Sequence, residues 1–165
     1  MQKISLSGSA DLDILGITFV EVIHVYAKYT LGLEESMMAI NAMIEEHKKN
    51  PSNSPVGMAV VDEGGLLIAY ARTDGARPII SKNAIKKAYT AALTGSNSED
   101  YETMLNGRGW RVGDMGDPML MSVPGGITVR NPEDGSILGG IGVAGLPAGP
   151  GDDDLALVGL RALNL

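Results

Sequence analysis

The sequence predicts an α+β protein in which two antiparallel hairpins flank a central helical block, and three observations carry the prediction. Two pairs of apolar runs are each joined by a short glycine-containing turn, "VGMAVVD" with "LLIAYAR" across "EGG", and "GITVRN" with "SILGGIGVAG" across "PEDG". Between them lies "ISKNAIKKAYTAALTG", in which Ile80, Ala84, Ile85, Ala88, Ala91 and Ala92 recur at helical spacing. The length, 165 residues, suits one domain whose single core buries roughly 70% of the surface of the unfolded chain.

Taken in order, the chain opens with a segment of open character. From Leu12 to Tyr26 the β-branched residues Ile14, Ile17, Thr18, Val20, Val22, Ile23 and Val25 favour strand, while the length permits helix. Residues 1–30 are read as an N-terminal extension to a single domain over 31–165. The start has one lysine followed by polar residues, not the charged-then-apolar order of a secretory signal. The run "ILGITFVEVIHVYA" is interrupted by Glu21 and His24 and falls short of the roughly 20 residues a membrane crossing needs. A cytoplasmic protein without a membrane partner is expected.

From Leu33 a helix is clear. Met37, Ile40, Met43, Ile44 and His47 share one face, Glu34 and Glu35 occupy the first turn, and Lys48 and Lys49 the last, as the helix dipole favours. "NPSNSP" ends it, because a proline disfavours helical geometry in the residue before it. After the first hairpin, the central helix takes Ser81 as N-cap and Gly95 as stop, and its small alanines imply close packing on a sheet. "NSEDYETMLN" adds a short helix. "GRGWRVGDMGDPMLMSVPGG" then shows no period, and a loop of that length inside a domain is usually functional. The second hairpin, "LPAGPG" and a final helix "DDDLALVGLRALNL" complete the chain, with the aspartates at the positive end of the helix dipole.

Several function classes are excluded. Thirteen Lys and Arg against twenty Asp and Glu leave a net charge of -7, the wrong sign for a broad nucleic-acid face. Without cysteine there is no disulfide, thiolate nucleophile or cysteine metal site. Gly140, Gly142 and Gly145 match G-x-G-x-x-G, but Pro147, Pro150 and two further glycines delay the next helix to about Asp152, and no acidic residue lies 20 positions on. The dinucleotide reading fails, and the glycines are read as strand positions approached closely by another backbone or a ligand.

Three stretches together carry a resemblance: "GMAVVDEGGLLIAYARTDGA", "KKAYTAAL", and "PGGITV" through "GSILGGIGVAG" with "DDDLALVGLRAL" behind it. In this order they resemble the family of small haem-binding proteins that includes the extracellular haem sensor of streptomycetes, the glycolate-operon accessory protein, and the C-terminal domain of one class of cobalamin adenosyltransferase. The resemblance covers Leu31 to the C-terminus. It implies a central antiparallel sheet flanked by helices in a profilin-like arrangement, homo-oligomers from dimer to octamer, and binding of haem or another tetrapyrrole. It places Thr90 where the haem sensor has a threonine at the iron; Tyr89, Lys86, Gly125, Gly126 and His24 are taken with it as the candidate cofactor-binding set. The ligand is expected between the central helix and the second hairpin, and the role is that of a small-ligand-binding accessory protein in a metabolic gene cluster.

Residue chemistry weighs these expectations. Haem iron is normally held by His, Met, Cys or Tyr, so Thr90 is a weak ligand. His47 reads as a packed residue of its helix, and two histidines 23 positions apart form no metal motif, so no metal site is expected. Met115, Met119 and Met121 suit a soft macrocycle, although methionines more often fill cores. A second reading is a catabolic enzyme of isomerase, hydratase or hydrolase type acting on a small carboxylate. Arg72 would clamp the acid, with Asp74 beside it and Lys87 as base or stabiliser, among Arg77, Arg108, Arg111, Asp114 and Asp117. No nucleophile triad is legible. A third reading is a ligand-free scaffold in which Gly125, Gly126, Gly139 and Gly140 permit close subunit contact.

Overall fold

The computed structural model describes residues 3–5, 24–26, 28–147 and 150–165. Strands β1 (Lys3–Ser5) and β2 (His24–Tyr26) pair antiparallel as a separate ribbon. The last part of the ambiguous N-terminal segment is therefore strand, and residues 6–23 lie outside the described residues. The main body follows: α1 (Leu33–Lys48), β3 (Gly57–Asp62), β4 (Leu67–Arg72), α2 (Pro78–Thr94), α3 (Ser98–Gly107), a 3-10 turn at Val112–Met115, β5 (Gly126–Arg130), β6 (Ile137–Ala144) and α4 (Pro150–Ala162). Both expected hairpins form, β3 with β4 and β5 with β6, and they join through β3 and β6 into one antiparallel sheet of order β4-β3-β6-β5. The α+β class holds, with the sheet covered on both faces.

Helices α1 and α4 cover one face. Ile40 and Met43 of α1 and Leu155 and Ala156 of α4 pack against Val56, Met58, Val60, Ile127, Val129, Ile141 and Val143, all at or below 5% exposure. The side chains here are large because two helices must be held at ordinary helix–sheet distance. Helix α2 lies on the other face, and its contact is of a different kind. Ala84, Ala88 and Ala92 lie against Ala59, Val61 and Ala144 in a second, smaller core.

The glycines of β6 explain that closeness. A Cβ placed on Gly142 would lie 2.1 Å from the Ala84 carbonyl oxygen and 2.4 Å from the Ala88 nitrogen. One on Gly140 would lie 2.3 Å from the Ala88 carbonyl oxygen, and one on Gly126 in β5 would lie 2.4 Å from that of Lys87. The helix backbone thus rests directly on the strand backbones, which only glycine allows. Two of the three glycines of the apparent nucleotide fingerprint are helix–sheet contacts. The expectation of a ligand between α2 and the second hairpin is corrected by the same geometry, since backbone fills that interface.

Helix α2 also starts earlier than expected. Pro78 stands at its first position and Arg77 occupies the N-cap position without a side-chain capping bond, whereas Ser81 lies inside the helix with its hydroxyl buried and, among the described residues, without a hydrogen-bond partner. Proline suits that place because the first helical N–H has no intrahelical acceptor. Gly95 ends the helix as expected, at φ 65°, ψ 21°.

Candidate functional site

Opposite the sheet, one turn of α2 grips the segment that lacks a period in the sequence. Lys86 donates through Nζ to the Pro118 carbonyl at 2.7 Å, and the Tyr89 hydroxyl donates to Asp117 Oδ2 at 2.7 Å. Thr90, fully buried, donates to the Lys86 carbonyl at 2.8 Å and accepts the Met121 N–H at 2.8 Å. Asp117 Oδ1 accepts the Met119 N–H at 2.8 Å. The Met119 amide and the Tyr89 hydroxyl hold the Asp117 carboxyl below the usual carboxylate range, and that carboxylate in turn raises the Tyr89 phenol. Three of the expected cofactor-binding residues therefore spend their polar atoms on residues 117–121.

The neighbouring lysine points inward, as a step of about 100° per residue along a helix requires. Lys87 is 3% exposed and pairs with Asp152 Oδ2 at 2.7 Å. The other oxygen of Asp152 accepts the Leu146 N–H at 3.0 Å, and Asp153 accepts the Gly125 N–H at 2.7 Å. Burial raises the Asp153 carboxyl above its ordinary value, and repulsion from Glu99 and Asp152 adds to it, while the Gly125 amide and Lys87 oppose the shift. Gly125 sits at φ 113°, where a Cβ would meet the Val143 carbonyl at 2.6 Å and Lys87 Nζ at 2.9 Å. The Gly126 N–H donates to Ser98 Oγ at 2.9 Å. The structure thus brings Lys86, Tyr89 and Thr90 together on one side of a single α2 turn, with Lys87, Gly125 and Gly126 on the other.

The remaining sequence-derived residues lie elsewhere. Arg72 at the end of β4 donates to the Ala76 carbonyl at 3.3 Å, and Asp74 lines an open surface cleft with His47, Pro55 and Thr73. Among the described residues no hydrogen bond or ion pair joins Arg72 or Asp74 to Lys87. His47 is half-exposed near the end of α1, its Nε2 2.9 Å from the Ser54 carbonyl. His24 falls on β2, and its side chain lies outside the described residues. Asp152 and Asp153 escaped notice as site residues, having been read only as dipole partners. The usable signal was that a lysine on an alanine-rich, sheet-facing helix needs a carboxylate partner.

A haem at Thr90 does not fit this arrangement. The hydroxyl makes both of its hydrogen bonds inside the protein and has no exposed surface, so neither iron nor macrocycle reaches it while residues 117–121 stay in place. Among the described residues no group of three His, Asp or Glu side chains is placed to hold a metal ion, and no helix is long and apolar enough to cross a membrane.

Known proteins share the sequence and the architecture of the main body. GlcG of Escherichia coli K12 is 39% identical over 117 residues, covering 71% of this chain and 83% of the relative. The crystal structure of a doubly substituted Streptomyces reticuli HbpS aligns with a TM-score of 0.74 at 29% identity, covering 84% of this chain and 90% of that one. A crystallised PduOC–haem complex aligns at 0.71 and 22% identity over 82% of this chain and 96% of its own, a likeness of fold. The match to the family described as haem degrading protein HbpS-like runs over residues 31–161, from just ahead of α1 through the buried Lys87–Asp152 pair to the end of α4, and the chain belongs to that family.

Proposed function

We propose that the protein binds haem or a related tetrapyrrole on the outer side of α2, as a cytoplasmic accessory protein of a catabolic gene cluster. The observation that carries this reading is the outer side of α2, where Lys86 and Tyr89 hold, over the buried Thr90, a methionine-bearing segment in which, among the described residues, nothing from 106 to 124 is fully buried. Such a contact parts at low cost, and a flat apolar disc with acidic edges needs a polarisable wall and a cation to meet its carboxylates. Lys86 is the cation in place. Bound haem supplies a redox-active iron. Family membership supports the ligand class, and the structure of a PduOC–haem complex on the same fold is consistent with it. Exposed Leu33, Met37, Leu66 and Leu67 support self-association, in keeping with homo-oligomers from dimer to octamer.

Hemin titration followed by absorbance tests the reading. A saturable Soret band with stoichiometric uptake is expected, weakened several-fold in Lys86→Ala and Tyr89→Phe, with His24→Ala reporting on the N-terminal ribbon. A spectrum of free hemin alone, or variants that titrate like the parent, refutes it.

A further inference from the structure

We propose that residues 117–121 are a strap that lifts from α2 as a unit and uncovers Thr90, with the Tyr89–Asp117 hydrogen bond as its pin. The inference rests on the ligand reading above only for the identity of what enters.

Cohesion is the first argument. Among the described residues no side chain from 106 to 124 is fully buried; Met119, Leu120 and Met121 are half-buried, so packing holds this stretch less firmly than it holds the core. Its backbone bonds are local, Asp114 N–H to Arg111, Gly116 N–H to Gly113 and Leu120 N–H to Asp117. Among the described residues, the body reaches residues 117–121 through three hydrogen bonds, all to side chains of one α2 turn: Lys86 to Pro118, Tyr89 to Asp117, and Met121 to Thr90. A segment attached by a few water-exchangeable bonds and by half-buried rather than fully buried side chains opens at lower free energy than the core.

The ends differ in the way a hinged strap requires. Gly116 sits at φ 73° with nothing within 4 Å of where a Cβ would be, free to change conformation. Gly125 is fixed, its amide on Asp153 and its carbonyl accepting the Val143 N–H at 2.8 Å. What lies beneath is rigid. On lifting, Thr90 loses the Met121 amide but keeps its bond to the Lys86 carbonyl, and α2 stays seated on the glycines of β6. Asp117 is the positioning residue, since its two oxygens hold Tyr89 and shape the strap through Met119.

Hydrogen exchange by mass spectrometry on the full chain tests the strap without any ligand, comparing the parent with Tyr89→Phe and Asp117→Ala. The amides of residues 119–121 are expected to exchange well ahead of strands β3 and β6 in the parent. They should exchange about tenfold faster in Tyr89→Phe, the ratio that loss of its one charge-assisted hydrogen bond to Asp117 produces, and faster still in Asp117→Ala, which also removes the acceptor of the Met119 N–H, with the strands unchanged. Exchange of 119–121 in step with β3 and β6, or no acceleration in either variant, overturns the strap. Stopped-flow hemin uptake then tests the gate: a faster association phase in Asp117→Ala with the same final spectrum supports it, and equal rates overturn it. If no variant and no parent protein takes up hemin, the haem reading falls, while the exchange data alone still decide the strap.

Discussion

Replacing Gly142 by alanine asks whether α2 truly rests on bare strand backbone. The added methyl carbon would stand 2.1 Å from the Ala84 carbonyl oxygen and 2.4 Å from the Ala88 nitrogen, where ordinary contact begins near 3.4 Å. One of the two elements must therefore retreat by about 1.3 Å, the gap between those distances. Neither retreats freely. The helix is tied down by the Thr128 hydroxyl on the Ala91 carbonyl at 2.9 Å and by the Lys87–Asp152 pair at 2.7 Å, and Ala84 and Ala88 have no exposed surface. The strand is paired on both sides, to β3 and to β5. Overpacking that a flexible side chain can absorb costs about 1–3 kcal/mol. Here the obstructing atoms are backbone, so the cost is placed at about 3 kcal/mol, a loss of about 6–12 °C in midpoint for a chain of this size. Gly113→Ala is the control, because nothing lies within 4 Å of its Cβ position and it should change the midpoint little. Thermal unfolding by circular dichroism, supported by urea titration, reads both. A Gly142→Ala protein that melts with the control refutes the direct backbone contact.

Two further outcomes follow from the buried charges. Lys87→Met strands the Asp152 carboxylate and should destabilise by about 3–5 kcal/mol, whereas Lys87→Met with Asp152→Asn keeps the acceptor for Leu146 and should lose much less than the sum of the single changes; additive losses in chemical denaturation would contradict the pairing. Asp153 has a folded-state pKa raised above its ordinary value, so between the two the folded chain holds more protons than the unfolded one, and this group's contribution to stability falls as pH rises through that window. Asp153→Asn should therefore match or exceed the parent's stability at neutral pH and lose any advantage below the ordinary carboxylate range; a variant less stable at neutral pH by more than about 1 kcal/mol would show that the Gly125 contact outweighs burial.

The hairpins and α1 were legible because their signals are local: alternating apolar runs around a glycine turn, and charges matched to the ends of an apolar face. The alanines of α2 and the glycines of β6 also announced a close approach, but which partner approached was not written in either segment alone. The start of α2 was misplaced because Ser81 is a good cap by type, while Pro78 claimed the first helical position. The site was only half visible. Lys87 and Asp152 lie 65 residues apart, and no periodicity links them. Thr90 stood out through the resemblance, yet its hydroxyl serves the Met121 amide, a backbone partner that side-chain identity cannot advertise.

The register between β3 and β6, from Gly57 opposite Ala144 to Asp62 opposite Gly139, joins pieces of chain roughly 80 residues apart. Each hairpin can close early because its strands are neighbours in sequence, but the seam between them forms only when two preassembled ribbons collide in the correct offset. Search for that offset is expected to be slower than closure of either hairpin. Chains cut within residues 106–116, where nothing is buried, divide the sheet along this seam and supply the two halves of a fragment-complementation pair.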